Sequence, residues 1–467
     1  MADNLSFASI RDLGRMLRVG ETTPTALAEH FLDRLDTIGR KLNAVAILTR
    51  ERALDEARLA ERELAAGHDR GPLHGIPYGA KDLCATAPPY PTSWGAAPFR
   101  DQQFDHDATA IARLRAAGAV LVAKLAMVEL AGGMGYNQPN AAFTGPGLNP
   151  WNRDAWAGGS SSGSGSAVGA GAVPFAIGSE TVGSILTPSS FCGVSGLRPT
   201  YGRISRHGAM ALCWTFDKLG PMCRTADDCG LALQGMAGHD PHDDTSLAET
   251  YTYDPARARS DGFRLAVPRD VLASAQPEVA ANFRATLDTL RTVATIDEFD
   301  LPDFPYGAVV GAILGGESAS SFDDFVASGK IAELTAPEDR IGGYARRFLP
   351  AKDYLNAFRI RRDIIATWDN LLARYDAVLA PATGVVASPL DARFSDYFPR
   401  DNRASLTAIG NIIGAPAISV PNGFGERGLP TGVQFMSRAG AENTALAIAR
   451  AYQSRTDWHT HRPALEA

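Results

Sequence analysis

The residues with the greatest capacity for chemistry lie in one stretch, residues 158–203, where glycine and serine are concentrated. A solvated linker has a similar composition, but the apolar run 173–177 in its middle is typical of a buried strand. Glycine in such a stretch permits close backbone approach and positive φ angles. We therefore expect a rigid loop, helix, strand and turn that present serine hydroxyls and backbone N–H groups to a bound ligand.

A lysine ends a short segment upstream of this stretch. Residues 73–82 are bounded by glycine and partly apolar, which predicts a strand that ends at Lys81. A single lysine is usually a surface charge. These residues alone leave its role open.

The patterns around these two segments indicate an α/β protein. A helix over 108–117 followed by a strand over 119–123 forms an α-then-β unit, which points to an α/β sheet. Two amphipathic helices within about residues 5–67 are expected to wrap the core. No repeat or linker composition divides the chain, so we expect one domain over residues 1–467.

Composition and charge favour a cytoplasmic protein. The 467 residues include 45 basic and 52 acidic ones, a formal net charge of −7. Because phosphate binding relies on clusters of Lys and Arg, we expect a small-molecule substrate and no nucleic acid. Five widely spread cysteines without a C-x-x-C pair predict reduced thiols. No apolar signal core or run of about 18 apolar residues occurs, so we expect no association with a membrane. Homodimer formation is left open.

Metal, nucleotide and histidine chemistry find little support. His239 and His242 lie beside Asp240 and Asp243, but a solvated surface turn is a better interpretation than a metal site. None of the nine histidines lies in a G-x-S-x-G elbow, and no P-loop lysine follows the glycines. We expect no metal and no cofactor.

Three blocks of sequence together resemble the amidase signature hydrolases. They cover residues 75–82, 158–164 and 178–200 and read GIPYGAKD, GGSSSGS and GSETVGSILTPSSFCGVSGLRPT. Weaker similarity extends from about residue 5 to 455. The resemblance implies an α/β fold with a large mixed β-sheet core that helices cover on both sides.

The resemblance also implies a Ser–cis-Ser–Lys triad. Matched position by position, the lysine falls on Lys81, the bridging serine after a cis peptide bond on Ser160, and the nucleophile on Ser184. A serine hydroxyl needs a base to take its proton. Lysine can be that base only when it is neutral, so its pKa of about 10.4 must be lowered, for example by desolvation. The implied oxyanion donors are the backbone N–H groups of Thr181, Val182, Gly183 and Ser184.

Two departures from the family pattern bear on the substrate. Val182 replaces a glycine that many members have, and Leu186 and Thr187 stand where many members have an arginine. Without a cation that could bind a substrate carboxylate, we expect a neutral, fairly apolar acyl or aryl group. The expected pocket walls are Gly132, Gly133, Met134, Gly135, Tyr136 and Trp214, with Phe216 as a further option.

Three functions follow from the resemblance. We expect a serine hydrolase that cleaves the C–N bond of linear amides through an acyl-enzyme, with esters and carbamates as further substrates. The alternative is the glutamine-hydrolysing subunit of a tRNA-dependent amidotransferase. A non-catalytic binding protein would require loss of the triad, and its three residues are present.

Overall fold

A single mixed β-sheet organises the protein. The structure is a computed structural model that describes residues 5–398 and 405–465; residues 1–4, 399–404 and 466–467 of the expected domain lie outside the described part. Eleven strands form the sheet in the order β1-β3-β2-β4-β6-β5-β10-β11-β9-β7-β8. The strands are β1 Val45–Leu48, β2 Pro77–Lys81, β3 Val120–Leu125, β4 Phe175–Glu180, β5 Ser195–Arg198, β6 Lys218–Cys223, β7 Phe263–Pro268, β8 Ala294–Phe299, β9 Ala377–Pro381, β10 Ala417–Phe424 and β11 Pro430–Met436.

α-Helices connect these strands and pack against the sheet. They are α1 Ile10–Arg18, α2 Pro24–Arg34, α3 Arg50–Ala65, α4 Thr109–Ala116, α5 Ser162–Gly169, α6 Leu186–Cys192, α7 Ala226–Met236, α8 Pro277–Leu290, α9 Tyr306–Ser321, α10 Asp323–Ala327, α11 Asp339–Arg346, α12 Ala351–Leu372, α13 Phe394–Tyr397, α14 Leu406–Ile413 and α15 Glu442–Gln453. The predicted α/β class with a large mixed sheet is confirmed.

The sheet is mixed because only some strands are joined by helical crossovers. β2 pairs in parallel with both β3 and β4, and β7 pairs in parallel with β8 and β9. The other neighbouring pairs are antiparallel. A parallel pair needs a crossover of a dozen or more residues, and α4 supplies it between β2 and β3. Every residue of β2, β3 and β4 is buried, as expected for strands covered on both faces.

The N-terminal helices follow their sequence signals. The hydroxyl of Thr23 accepts a hydrogen bond from the N–H of Ala26 at 3.2 Å, and Pro24 is the first residue of α2. This cap satisfies one of the N–H groups that a helix start leaves unpaired. α2 buries Leu27 and Phe31 and packs against α3 and β3.

The glycine- and serine-rich stretch is buried structure, as predicted. All eight residues of α5 are buried. A β-carbon at Gly163 would overlap the backbone of Ala44 and Ala126. Glycine therefore allows α5 to lie directly on the ends of neighbouring segments, which a flexible linker would not do.

Two further findings concern the whole chain. No helix within residues 5–398 and 405–465 is long and apolar enough to cross a membrane. All five cysteines are buried and free.

Candidate active site

The site lies where two parallel strands end side by side. Tyr78 to Ala80 of β2 pair with Phe175 to Ile177 of β4. Because parallel strands end at the same edge of a sheet, the side chains that follow these pairs meet there. Lys81 ends β2, and Ser179 and Glu180 end β4.

The amine of Lys81 contacts three serine hydroxyls. Its Nζ lies 2.7 Å from Ser160 Oγ, 2.9 Å from Ser161 Oγ and 2.8 Å from Ser179 Oγ. The lysine side chain is fully buried, and within the described residues no carboxylate lies within ion-pair distance of it. Burial lowers the pKa of Lys81 from 10.5 to about 7, although Cys84 and Asp217 act in the opposite direction.

A neutral amine suits these three contacts. It has two N–H donors and one lone pair, so one serine hydroxyl can donate to it while the other two accept. Ser161 is further held between α5 and β4, since its Oγ lies 3.2 Å from both the N and the O of Ser179. The sequence pointed to Ser160 but not to Ser161 or Ser179. The signal that could have found Ser179 is its position at the end of a strand beside the strand that ends at Lys81.

The two serines of the implied triad are placed differently. The peptide bond between Gly159 and Ser160 is cis, as the resemblance implies, and Ser160 is buried. Ser184 is partly exposed in the turn between β4 and α6. Its hydroxyl has no hydrogen bond to Ser160 or to any other described residue. The structure thus brings Lys81 and Ser160 together and leaves the Ser184 hydroxyl uncommitted.

The turn that carries Ser184 exposes unpaired backbone donors. The N–H groups of Val182, Gly183 and Ser184 make no hydrogen bond to any described residue. Gly183 has a φ of +89°, a left-handed conformation that favours glycine. The turn begins at Thr181, whose Oγ1 donates to Asp217 at 2.6 Å. Unpaired N–H groups that converge on one point can stabilise an oxyanion.

Glu180 fixes the far end of this turn. Its Oε2 accepts hydrogen bonds from the backbone N–H groups of Ile185 at 2.9 Å and Leu186 at 3.0 Å. Its Oε1 accepts from Arg198 at 2.9 Å and from Asn411 at 2.8 Å. Burial alone would raise the pKa of Glu180, but Arg198 and these hydrogen bonds hold it below its ordinary value. The charged carboxylate therefore determines the shape of the turn.

A cavity of about 210 Å³ reaches the site at Ser179 and Thr181. Most of its wall is apolar and comes from Leu83, Ala131, Ala209, Met210, Leu212, Trp214 and Leu219. Trp214, expected as a pocket wall, lines it. Phe216 is instead fully buried in the core.

The glycine-rich loop expected as a wall lies elsewhere. Neither this cavity nor the larger cavity that Trp214 also lines is lined by Gly132, Gly133, Met134, Gly135 or Tyr136. Met134 is buried against α11, and the ring of Tyr136 packs 5.4 Å from that of Phe394. The loop was expected to form a wall of the substrate pocket, whereas the structure packs it against α11 and Phe394.

A second buried lysine also lines the cavity, and the sequence did not single it out. Burial, with a smaller contribution from Arg198, lowers the pKa of Lys218 to about 7. Its Nζ donates to the carbonyl oxygen of Phe216. Its contacts with described residues include no serine hydroxyl, which distinguishes it from Lys81.

His239 and His242, expected in a solvated surface turn, are exposed in the loop that follows α7. Asp240 accepts hydrogen bonds from Ser205 and Thr109, and the ring of His242 stacks on that of His207 at 4.8 Å. Within the described residues no group of three or more histidine, cysteine or acidic side chains could hold a metal ion.

The sheet places a buried lysine among serine hydroxyls beside a turn of unpaired N–H groups, and comparison with known proteins assigns the family of the chain. The family model described as Amidase matches residues 26–446, and the chain belongs to this family. It is 36% identical over 484 aligned residues to the A subunit of the glutamyl-tRNA(Gln) amidotransferase of Roseiflexus sp. (strain RS-1), covering 98% of each chain.

Solved structures agree with this assignment. The native peptide amidase of Stenotrophomonas maltophilia superposes with a TM-score of 0.84 at 29% identity, covering 96% of this chain and 97% of that one. A protein described as part of a vestigial complex that reveals the origins of an s-triazine catabolic enzyme gives a TM-score of 0.88 at 29% identity, covering 98% and 100% of the two chains.

These relatives correct the expectation about partners. A small-molecule substrate with no nucleic acid was expected from the net charge, together with no membrane and an open homodimer. The expectation of a small-molecule substrate with no nucleic acid is wrong, because relatives that align over nearly their whole length are named as one subunit of an amidotransferase of glutamyl-tRNA(Gln). The net charge of one chain was a poor guide, since in an assembly the phosphate contacts need not lie on that chain.

Proposed function

We propose that Ser184 is the nucleophile of an amide hydrolase and that Lys81, acting through Ser160, is its base. The observation that carries this proposal is the buried amine in contact with three serine hydroxyls, with a pKa of about 7. A base with a pKa near the working pH combines a useful neutral fraction with proton affinity.

The steps follow from these groups. The Ser184 hydroxyl rotates towards Ser160, and its oxygen bonds to the amide carbon while its proton passes through the Ser160 hydroxyl to Lys81. The negative oxygen of the tetrahedral intermediate accepts from the N–H groups of Val182, Gly183 and Ser184. The C–N bond then breaks, the nitrogen leaves with the proton returned from Lys81, and water hydrolyses the acyl-enzyme by the same path.

For the substrate, we propose glutamine, with the chain acting as the A subunit of a tRNA-dependent amidotransferase in the cytoplasm. The support is the identity of 34–36% to proteins of that name over nearly the whole of both chains. Ammonia release from glutamine should rise when the other components of the amidotransferase and glutamyl-tRNA(Gln) are added. The Ser184→Ala protein is the blank. Absence of glutaminase activity in the complete mixture would refute this assignment.

A second candidate is hydrolysis of neutral, apolar amides, carbamates or esters. It is favoured by Leu186 and Thr187 next to the nucleophile turn and by the apolar walls of the cavity. A hydrolysis screen over anilides, aliphatic amides, carbamates, esters and glutamine separates the two. Turnover of anilides well above that of glutamine would favour the second candidate.

A further inference from the structure

Lys218 places an amine in the wall of the cavity that reaches Ser179 and Thr181, which we call the inner cavity. Lys218 is only 2% exposed, and most of the wall around it is apolar. Burying a polar group without hydrogen-bond partners costs free energy. The partners of this amine therefore decide what the inner cavity can bind.

The amine of Lys218 has fewer partners among the described residues than it has N–H groups. Its Nζ donates to the carbonyl oxygen of Phe216, and no other hydrogen bond or ion pair joins it to the described part of the chain. A neutral amine has two N–H groups and a protonated amine has three. In either protonation state at least one N–H group is left for a ligand, whereas Lys81 is surrounded by three serine hydroxyls.

Strands β4 and β6 hold Lys218 close to the proposed base. In this antiparallel pair Lys218 lies opposite Glu180, and Ser179 is the neighbour of Glu180 in β4. With strands about 4.8 Å apart and a rise of about 3.4 Å per residue, the Cα atoms of Lys218 and Ser179 are about 6 Å apart. Ser179 Oγ in turn lies 2.8 Å from Lys81 Nζ. A substrate whose amide carbon is at Ser184 can therefore bring another of its atoms to Lys218.

The polar groups beside Lys218 are already paired. Thr181 donates to Asp217 at 2.6 Å. Asp217 also accepts from the backbone N–H groups of Leu212 and Cys213, at 2.8 Å each. Burial lowers the pKa of Lys218 and Asp217 acts in the opposite direction, so this carboxyl group lies near the amine. Since Asp217 would repel an anion at this point, a neutral oxygen suits the site better than a carboxylate.

We propose that Lys218 donates a hydrogen bond to a neutral oxygen of the substrate, such as an ether, hydroxyl or carbonyl oxygen, in the inner cavity. The ligand is then an amide that carries a second oxygen acceptor at a fixed distance from the amide that is cleaved. The apolar wall binds its carbon skeleton, and the amine fixes its orientation. An analogue without that oxygen would leave a buried N–H group unpaired. This inference rests on the proposed hydrolase site and adds a feature of its substrate.

Binding to the Ser184→Ala protein, measured by calorimetry, tests this independently of turnover. The probes are phenylacetamide and 3-phenylpropanamide with a methoxy group at the ortho, meta or para position, each compared with the ethyl-substituted amide of the same shape. Ethyl is the more apolar group, so an apolar wall alone favours the ethyl partner. We expect at least one methoxy probe to bind more tightly than its ethyl partner.

Substitutions at Lys218 assign this preference to its amine. Lys218→Met removes the donor at similar volume and should weaken the preferred methoxy probe by about 3-fold to 10-fold, with the ethyl partner unchanged. Lys218→Gln keeps an N–H donor and should retain part of the preference. Leu219→Met is the matched control, because it changes an apolar residue of the same cavity and should leave the ratio of the two affinities unchanged.

Two outcomes would overturn the proposal. The first is that no methoxy probe binds more tightly than its ethyl partner, as expected if the amine contacts only water. This outcome needs no variant at Lys218, so it applies even if Lys218→Met fails to fold. The second is a methoxy preference that Lys218→Met leaves intact, which would assign the preference to another donor. Failure of Ser184 to form an acyl-enzyme would refute the hydrolase assignment but not this preference.

Discussion

Replacing Lys81 by methionine should stabilise the folded protein at low pH and destabilise it at high pH. The amine is fully buried and its pKa is lowered from 10.5 to about 7. Between these two values the unfolded chain holds a proton that the folded chain lacks. The free energy of unfolding of the natural protein therefore rises with pH across this window. Below about pH 7 the destabilisation by Lys81 is complete.

The structure gives the magnitude. At about 1.4 kcal/mol per pH unit, the fall from 10.5 to about 7 corresponds to about 5 kcal/mol. Methionine cannot form the hydrogen bonds that Lys81 makes to three serine hydroxyls. Their loss, at about 1 kcal/mol each, destabilises the variant by about 3 kcal/mol and so offsets part of the gain. The variant should thus be more stable by about 2 kcal/mol at pH 7 and below, and the advantage should disappear near about pH 8.

Urea unfolding at several pH values between about 6 and 10 measures this difference. Lys352→Met is the matched control, because Lys352 is exposed on α12, and its effect should not depend on pH. A Lys81→Met difference that stays constant across the range would refute a lysine that is neutral in the folded protein. Activity of the natural enzyme should fall in parallel as pH drops below about 7, since the protonated amine cannot act as a base.

Other substitutions test the turn and the packing around the site. Ser184→Ala should abolish turnover and labelling by a fluorophosphonate yet leave the melting temperature unchanged, since its hydroxyl has no hydrogen bond to a described residue; residual turnover near the natural kcat would exclude it as the nucleophile. Glu180→Gln removes one charge of a fully buried ion pair and should cost about 3–5 kcal/mol in urea unfolding, whereas a loss below about 1 kcal/mol would argue against a charged Glu180. Gly342→Ala should lower the melting temperature, because its β-carbon would overlap the carbonyl oxygen of Met134. Gly307→Ala, which has open space around it, should raise the melting temperature by improving helix propensity. Equal effects of the two substitutions would show that α11 can move away from Met134 at little cost.

Much of the site could be read from the sequence because it lies on regular elements. The strand predicted to end at Lys81 ends there, and the buried run after the serines became β4. The position of the lysine beside Ser160 then follows from parallel pairing of two strands. Local sequence patterns thus predicted the two strands, and the family resemblance predicted that Lys81 and Ser160 lie together.

The parts that were missed depend on packing between distant segments. Ser161 and Ser179 were not distinguished from neighbouring serines, since their contacts with Lys81 arise only when α5 and β4 meet. Loop 132–136 was expected as a pocket wall but lies against α11, which begins at Asp339, far along the chain. Periodicity and composition carry no information on such contacts.

Glu180 has a consequence for genetics as well as for chemistry. Its carboxylate is bonded both to the turn of Ser184 and to Asn411, which lies 231 residues farther along the chain. Random mutagenesis scored for lost activity should therefore return alleles in α14, at positions that touch no substrate. Second-site suppressors of those alleles are expected around Arg198, the other partner of the same carboxylate.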